Sequence, residues 1–423
     1  MLNILWFSLS PCGSMRRNGS NRVIQGWMIS LEDEIKKNKE IDLHVAYFSY
    51  TESESFKFDG VTYHPMYQPN AKTMIGRVLD RYKSLASEDE KMLPAMLNVV
   101  KFVHPDLIHI HGTEERFGMI QDYVKDIPIV FSIQGIVSPY KEKYFSGFSK
   151  DFIKKHEGLF EKLRGLSELK FYKDFEIRVQ REKKYLQKAR YIIGRTFWDK
   201  TVTGLFNSQR LYFIGDEILR SDFYQFVWNK ERWNESLTLV STISPGPYKG
   251  IETLLKTAFI LKQNAKIPFT WKVIGLSKAD KWLNMAVKLT GIKPSSCNVE
   301  LCGRLNSEEM APLMKDCDIY CHVSHIENSP NSVCEAMLLG MPVIATYAGG
   351  TSSMIVHMKE GMLVQDGEPY SLAATIYWLY GNFSEAQTMG KNARMRASVR
   401  HNAQRIGNEL IKNYSNIIED FNK

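Results

Sequence analysis

The chain has 423 residues, enough for two domains of about 200 residues each, and a formal net charge of +8. Hydrophobic residues make up 44% and charged residues 24%, a balance that is typical of a soluble globular protein. Because the six cysteines form no CxxC pair, and no apolar run is long enough to span a bilayer or resembles a signal peptide, we expect a reduced, cytoplasmic protein.

In the N-terminal half, continuously apolar segments alternate with helical stretches. Apolar runs of this kind are typical of buried strands in a sheet that helices cover on both faces. The predicted strands are residues 2–8, 41–48, 106–110, 128–133, 191–194 and 211–214.

The C-terminal half repeats this alternation more clearly. Predicted helices include residues 251–263 and 307–317, and the predicted strands are 237–243, 271–275, 298–302, 318–323, 342–346 and 362–364. We therefore expect two doubly wound, Rossmann-like α/β domains that face a central cleft, with ligands at the carboxyl ends of the strands. The expected bounds are 1–225 for the first domain, 226–236 for the linker, 237–402 for the second domain, and 403–423 for a helix that packs back on the first.

The segment from residue 140 to residue 190 is basic and aromatic. Residues 141–190 contain 15 basic and 8 acidic residues, a net charge of +7. Such a segment can be a solvated helical face, a contact for an anionic membrane surface, or a nucleic-acid site. No RNP, KH, helix-turn-helix or zinc-finger pattern accompanies it, so we expect no nucleic-acid partner and leave the first two alternatives open.

Two glutamates lie eight positions apart around the start of a short predicted helix. Glu327 follows a predicted strand, and the polar loop 328–331 leads into a helix over 332–339 that contains Glu335. In one interpretation, Ser332 and Glu335 form a capping box that only satisfies backbone N–H groups. In the other, the helix N-terminus binds a diphosphate. One carboxylate then accepts hydrogen bonds from the ribose hydroxyls, and the other accepts hydrogen bonds from the hydroxyls of a sugar. A nucleotide-sugar needs all three contacts in one line.

The wider sequence context favours the nucleotide-sugar interpretation. The two glutamates and the segment EAMLLGMPVIA (335–345) resemble the donor-site signature of the group 1 family of retaining glycosyltransferases, which have the two-domain GT-B fold. The resemblance is strong over residues 237–380, weaker over the N-terminal half and poor over 140–190. Further segments that resemble the family are 104–113, 248–262 and 302–324.

The resemblance implies a role for each site residue. Glu335 would hold the nucleotide ribose and Glu327 the donor sugar. The diphosphate would contact Lys249 and backbone N–H groups near 329–332, and the loop 303–305 would lie along the base. The donor-binding set that the resemblance implies is Gly26, Lys249, Gly250, Arg304, Leu305, Ser329, Pro330, Asn331, Ser332 and Glu335.

The sequence departs from the family pattern at two positions. Ser244 stands where the family usually has an arginine that neutralises the leaving diphosphate. Another cation is therefore expected, and Arg304, Arg195 and a basic residue of the N-terminal loop are the alternatives. Gln134 stands where many relatives have a histidine that contacts the donor sugar, and an amide can bind hydroxyls but cannot shuttle protons.

The N-terminal domain offers two further candidates. His111 is the nearest proton carrier if the reaction needs one, although a histidine that ends a strand explains it equally well. Gly13, Gly19 and Gly26 compete for the family's glycine-rich turn, and we favour Gly26 because its spacing to the helical run 27–35 fits. The predicted catalytic residues are Glu327, His111 and Gln134.

We expect neither a metal nor a bound cofactor, since the nucleotide-sugar is a substrate. His109 and His111 alternate on one strand face without a carboxylate or cysteine at ligand spacing. The second cluster, formed by His322, His325 and Glu327, lies at a strand end already assigned to sugar binding.

The implied reaction moves a sugar from a nucleotide such as UDP or GDP to a glycan or lipid-linked hydroxyl, with retention, in polysaccharide, lipopolysaccharide or glycolipid biosynthesis. A lipid-linked acceptor favours contact of the basic segment 140–190 with the inner face of a membrane. Two alternatives stay open. One is another GT-B enzyme such as a sugar-nucleotide epimerase, and the other is a non-catalytic protein that binds nucleotide-sugar.

Overall fold

Two sheets organise the chain, one in each half. The computed structural model describes residues 1–18, 26–71, 73–83 and 85–423, without the side chains of residues 86–88. All twelve predicted strands are present, and their ends shift by no more than two residues. The predicted fold class, with two Rossmann-like α/β domains, is confirmed.

The first sheet has eight strands among the described residues. They are β1 (Leu2–Phe7), β2 (Ile41–Ser49), β3 (Phe56–Phe58), β4 (Val61–Tyr67), β5 (Leu107–His111), β6 (Ile129–Ser132), β7 (Tyr191–Gly194) and β8 (Leu211–Ile214). Their order is β3-β4-β2-β1-β5-β6-β7-β8, and only the β3–β4 pair is antiparallel. The sequence did not predict β3 and β4, because β3 is short and β4 mixes polar residues and a proline with its apolar ones.

The second sheet is formed entirely by parallel pairs within the described part of the chain. Its strands are β9 (Leu237–Thr242), β10 (Phe269–Ile274), β11 (Val299–Gly303), β12 (Ile319–His322), β13 (Val343–Thr346) and β14 (Met362–Val364). Their order is β11-β10-β9-β12-β13-β14. The order reverses at β9, so the crevice of this sheet opens between β9 and β12, where their carboxyl ends diverge.

Helices connect the strands and cover both sheets. In the first half they are α1 (Gly26–Ile35), α2 (Met74–Tyr82), α3 (Leu85–Val103), α4 (Val137–Glu142), α5 (Lys150–His156), α6 (Leu159–Leu163), α7 (Glu168–Lys188) and α8 (Phe197–Phe206). In the second half they are α9 (Ile251–Ile260), α10 (Lys281–Thr290), α11 (Ser307–Asp316), α12 (Asn331–Leu339), α13 (Pro369–Gly381), α14 (Phe383–Arg400) and α15 (Ala403–Phe421).

Each sheet is buried on both faces, as the continuously apolar strands predict. In β1, Ile4 and Trp6 belong to one buried cluster, and the alternate residues Leu5 and Phe7 belong to the cluster on the opposite face. All four side chains are fully buried. Burial on this scale is the main source of stability for such a domain.

Several parts of the chain connect the two halves, and three of them involve aromatic side chains. Helix α15 packs on the first sheet, where the Tyr414 hydroxyl accepts a hydrogen bond from Trp6 Nε1 at 2.9 Å. Phe148, from the basic aromatic segment, packs in the core of the second sheet with its ring centroid 5.4 Å from that of Trp282. Phe223, which precedes the expected linker, already packs on the second sheet.

The structure gives the aromatic residues of the basic segment a mostly internal role. Of the nine aromatic side chains between Tyr140 and Phe175, only Phe160 and Phe171 are exposed. Tyr144, for example, is buried, donates a hydrogen bond to Glu168 and packs on Phe175. Among the described residues, no helix is both long and apolar enough to cross a membrane.

Candidate functional site

A cleft lies between the carboxyl ends of the two sheets and has a volume of about 950 Å³. The second half contributes most of its wall, and the first half contributes the start of α1 together with Gln134, Arg195 and Arg220. The predicted site residues that line the cleft are Gly26, Gln134, Lys249, Arg304, Leu305, Glu327, Ser329, Pro330, Asn331, Ser332 and Glu335. The structure therefore brings together most of the residues that the sequence analysis singled out.

Helix α12 points its N-terminus at this cleft. Its N-cap is Pro330, which offers no side-chain acceptor, and Asn331 and Ser332 of the first turn line the cleft. The N–H groups of such a turn carry partial positive charge and can bind an anion. The capping-box interpretation of Ser332 and Glu335 is wrong, because the helix begins at Asn331 and Glu335 lies more than one turn inside it.

Glu335 is paired with Arg220 across the cleft wall. Arg220 Nε donates to Oε1 and Nη2 to Oε2, both at 2.7 Å, in a bidentate ion pair. The Glu335 side chain is only 2% exposed and that of Arg220 is 25% exposed. Burial raises the pKa of Glu335, and the Arg220 guanidinium offsets part of this rise. A carboxylate with four lone-pair directions can accept two further hydrogen bonds from a ligand.

Glu327 is paired with Lys249 at the other end of the same wall. Lys249 Nζ lies 2.5 Å from Glu327 Oε1, and His322 Nε2 lies 3.9 Å from the same oxygen. Although burial raises the pKa of Glu327, the Lys249 ammonium more than compensates, and the pKa lies below its usual value. Burial lowers the pKa of His322 to about 4, so this ring is neutral at pH 7.

Gly250 has a structural reason to be glycine. It lies at φ +73°, and a Cβ built there would be 1.9 Å from the carbonyl oxygen of Val323, at the end of β12. The close approach fixes the loop that carries Lys249 against the strand that leads to Glu327. Gly250 itself is not among the residues that line the cleft.

Asn328 connects the glutamate loop to the first domain. Its amide Nδ2 donates to Asp199 Oδ2 at 3.0 Å and to the Gln134 carbonyl at 3.3 Å, and its Oδ1 accepts from Thr196 Oγ1 at 2.7 Å. The side chain is buried, so these bonds are made away from water. The position of Glu327 therefore depends on residues of both domains. The sequence analysis named Asn328 only as part of a polar loop and did not predict this role.

On the first-domain side, Gly26 begins α1 and lines the cleft beside Trp27 and Arg195. The Arg195 guanidinium lies 4.4 Å from the Trp27 ring centroid and 3.6 Å from Glu217. Gly13 lies elsewhere, because its N–H donates to the buried carboxylate of Glu32. Gly19 lies outside the described residues.

His111 is not brought into the cleft. It is 2% exposed, its ring centroid lies 3.8 Å from that of His109 and 4.6 Å from that of Trp6, and its Nδ1 lies 3.2 Å from Ser132 Oγ. Burial lowers its pKa well below the usual value, so it stays neutral. The structure favours the alternative in which this histidine ends a strand, and it does not support a direct proton transfer to a bound ligand.

Arg220 is the main site residue that the sequence analysis missed. It belongs to no motif, and its partner Glu335 lies 115 positions further along the chain. Among the described residues, four cationic side chains line the cleft, those of Arg195, Arg220, Lys249 and Arg304, and Arg304 is exposed at the rim. Ser244, where an arginine was expected, also lines the cleft.

One group of side chains in the described part of the chain has the spacing of metal ligands. Atoms of Glu217, Cys334 and His401 lie within 4.8 Å of one another. Burial alone would raise the pKa of Glu217, but Arg400 and Arg195 hold it at about 2. Two guanidinium groups already neutralise the negative charge of this carboxylate. The cluster of Glu217, Cys334 and His401 therefore does not supply the negative charge that a divalent cation needs.

Comparison with known proteins extends these observations. Residues 229–396 match the family model described as Glycosyl transferases group 1. An uncharacterized glycosyltransferase of Methanocaldococcus jannaschii is 26% identical over 170 residues, which cover 40% of this chain and 45% of that protein. The capsular polysaccharide biosynthesis glycosyltransferase CapM of Staphylococcus aureus is 28% identical over 103 residues, 24% of this chain and 27% of CapM. The match therefore covers less than half the length of these relatives.

Solved structures resemble the whole chain. Sucrose-phosphate synthase of Thermosynechococcus elongatus has a TM-score of 0.69 at 15% identity and covers 99% of this chain and 100% of its own. Anabaena HepE in complex with UDP and glucose has a TM-score of 0.64 at 17% identity and covers 98% of this chain and 100% of its own. These likenesses confirm the expected two-domain GT-B fold. The match to the group 1 family of glycosyl transferases thus covers residues 229–396, and the two-domain fold extends over the whole chain.

Proposed function

We propose that the chain transfers a sugar from a nucleotide diphosphate to an acceptor hydroxyl, with retention at the anomeric carbon and without a metal ion. The observation that carries this proposal is the pair of acids, Glu335 and Glu327, on either side of the α12 N-terminus in one cleft. Helix N–H groups suit a diphosphate, and carboxylates suit the hydroxyl groups of ribose and hexose.

The ion pairs of the cleft suggest how the donor is held. The ribose hydroxyls donate to the lone pairs of Glu335 that Arg220 leaves available, and the diphosphate contacts the first turn of α12 and the Lys249 ammonium. As Lys249 turns to the diphosphate, the sugar hydroxyls replace it as donors to Glu327. Glu327 thereby exchanges a protein partner for a ligand partner, whereas Glu335 keeps Arg220.

A second cation for the leaving diphosphate comes from Arg195. Arg220 commits two nitrogens to Glu335, and Arg304 is exposed at the rim. Arg195 is nearly buried, lines the cleft from the first domain, and shares Glu217 with Arg400 at longer distances of 3.6 and 3.8 Å. Stabilisation of charge on the leaving group is commonly among the largest contributions to such a reaction. Because donor contacts come from both domains in this proposal, domain closure would complete the site.

No positioned carboxylate nucleophile is part of the proposal. The bond from the anomeric carbon to the diphosphate oxygen breaks while the bond to the acceptor oxygen forms on the same face. The acceptor proton passes to the leaving phosphate oxygen. This route needs positioning and charge stabilisation, which the cleft provides, and needs no proton carrier at Gln134 or His111.

In this proposal the first domain binds the acceptor and therefore determines which class of acceptor the enzyme uses. The names of relatives such as CapM favour a growing polysaccharide or a lipid-linked glycan. UDP and GDP are the donors to test first, since the structure of HepE contains UDP.

The proposal is tested by measuring the binding of UDP-, GDP-, ADP- and dTDP-sugars by thermal shift and calorimetry, with and without EDTA. Glu335→Ala and Glu327→Ala should each weaken donor binding while the far-UV spectrum stays unchanged. Glu300→Ala, at an exposed strand position, is the control. Wild-type affinity in both cleft variants would overturn the assignment. With an acceptor in hand, NMR of the product reports the anomeric configuration, and turnover without an acceptor would indicate an epimerase.

A further inference from the structure

Helix α2 is amphipathic, yet none of its residues is buried. At 100° per residue, Met74, Ile75, Leu79 and Tyr82 share one side of the helix, Arg77 and Asp80 lie on the other, and Arg81 borders Met74. These four side chains are between 55% and 74% exposed. A helix with this pattern normally covers a core with its apolar side, and in the described part of the chain this side faces solvent.

Helix α6 extends the same apolar surface. Its residues Leu159, Phe160 and Leu163 are between 73% and 77% exposed. The two helices are joined by hydrogen bonds, since the Tyr82 hydroxyl donates to the Lys162 carbonyl at 2.6 Å and Arg81 donates to the Arg164 carbonyl at 3.0 Å. We call this surface the α2–α6 patch, defined by Met74, Ile75, Leu79, Tyr82, Leu159, Phe160 and Leu163.

Basic residues surround the α2–α6 patch. The segments 73–83 and 154–164 together contain seven basic and three acidic residues, a net charge of +4. One acid, Glu157, is buried and bonded to Ser167, and another, Asp80, is paired with Lys83. The basic residues are Arg77, Arg81, Lys83, Lys154, Lys155, Lys162 and Arg164.

We propose that the α2–α6 patch docks on the surface of an anionic lipid bilayer. Exposed leucine, isoleucine and phenylalanine side chains enter the boundary between headgroups and acyl chains, and the surrounding lysines and arginines contact the lipid phosphates. Charge complementarity selects this partner over a second copy of the chain, since a symmetric contact would bring two surfaces of charge +4 together. The inference goes beyond the proposed transfer reaction and does not depend on it.

The surface differs from the one that the basic segment suggested. Seven of the nine aromatic residues between 140 and 175 are buried or partly buried, and helix α2 lies outside that segment. The docking residues therefore come from two segments of the sequence about 80 positions apart. The hydrogen bond between Tyr82 and Lys162 joins these two segments.

The test is co-sedimentation of the full chain with vesicles of phosphatidylcholine alone and of phosphatidylcholine with phosphatidylglycerol. We expect binding to the anionic vesicles only, and weaker binding as salt increases. Ile75→Ser combined with Phe160→Ser should weaken binding at least about tenfold. Arg77→Gln combined with Lys155→Gln should weaken it about tenfold at low salt. The control is Leu205→Ser, which removes a leucine that is 84% exposed on α8 and outside the patch.

Circular dichroism and donor binding should be unchanged in all these variants, which separates docking from folding and from the proposed reaction. Absence of wild-type protein from the anionic vesicle pellet would overturn the inference. Equal losses in Leu205→Ser and in the patch variants would do the same. A dimer in sedimentation velocity that Ile75→Ser dissociates, without vesicle binding, would overturn it as well and assign the patch to self-association.

Discussion

Arg220 and Glu335 are 115 positions apart in the sequence and form a bidentate ion pair with two hydrogen bonds of 2.7 Å. The pair lies where the short segment after β8 meets the first turns of α12. Glu335 is almost completely buried, so its charge depends on the one guanidinium that faces it. Because the same carboxylate is the proposed ribose ligand, the pair links donor binding to the stability of the second domain.

Replacing Arg220 with Met should therefore affect both properties. Loss of the guanidinium leaves a buried carboxylate without a partner, which costs about 3 kcal/mol of unfolding free energy and weakens donor binding about tenfold at pH 7. The double variant Arg220→Met with Glu335→Gln should recover most of the stability but not the donor affinity. Urea unfolding and calorimetry measure the two effects. The ion pair would be unimportant if the single and the double variant unfolded at the same urea concentration.

Gly250 allows the energy of a steric clash to be separated from that of backbone strain. Gly250 and Gly291 have nearly the same φ, +73° and +72°, but a Cβ at Gly250 would meet the Val323 carbonyl at 1.9 Å, while a Cβ at Gly291 would meet nothing within 4 Å. Gly291→Ala should cost about 1 kcal/mol for the left-handed conformation alone. Gly250→Ala should cost at least about 1 kcal/mol more and should also weaken donor binding, because it displaces the Lys249 loop. Equal costs in urea unfolding would show that the loop moves away without strain.

Most of the fold could be predicted because its strands are buried on both faces. Strand β7, which contains Ile192, is continuously apolar, and this is the pattern expected of a strand that helices cover on both faces. Strands β3 and β4 escaped prediction because residues such as Thr62 and Pro65 interrupt the apolar pattern. The sequence also located Glu327 and Glu335, since Glu327 lies in the loop after a predicted strand and Glu335 lies in the helix that follows this loop.

The partners of these acids were harder to predict. Lys249 and Arg220 reach the glutamates through tertiary contacts that join positions 78 and 115 apart, and local periodicity carries no information about such contacts. His111 shows the opposite difficulty. Its position at a strand end was equally consistent with a role in the cleft and with a structural role, and in the structure neighbouring aromatic rings cover it.

The buried carboxylate of Glu32 should make stability depend on pH. Burial raises its pKa from the usual value near 4.5 to about 7, although the Gly13 N–H and the Tyr63 hydroxyl donate to it. The native state thus binds more protons than the unfolded state between these values, and the unfolding free energy falls as pH rises through this range. The loss is complete above about pH 7 and amounts to about 3 kcal/mol.

Urea unfolding of wild type and Glu32→Gln between pH 5 and pH 8 measures this contribution. It equals the difference between the two proteins in how steeply the unfolding free energy falls with pH. The variant should lose less stability as pH rises, because the amide does not ionise. Glu300→Gln, which changes an exposed carboxylate, should follow the wild type. Parallel curves for wild type and Glu32→Gln would show that Glu32 keeps an ordinary pKa.

The role proposed for Arg195 can be tested by moving its charge. Arg195→Gln should lower kcat about 100-fold with a smaller change in donor affinity, because charge on the diphosphate develops mainly in the transition state. Ser244 lines the same cleft, at the position where the resemblance implies an arginine. Ser244→Arg in the Arg195→Gln background should recover at least about tenfold of the lost rate, since it returns a cation to the diphosphate. Ser244→Gln, which has similar reach without charge, should recover none.

Because Arg195 also lies near the buried Glu217, thermal unfolding must show that each variant remains folded at the assay temperature. Equal rates for Ser244→Arg and Ser244→Gln in this background would assign Arg195 a structural role only.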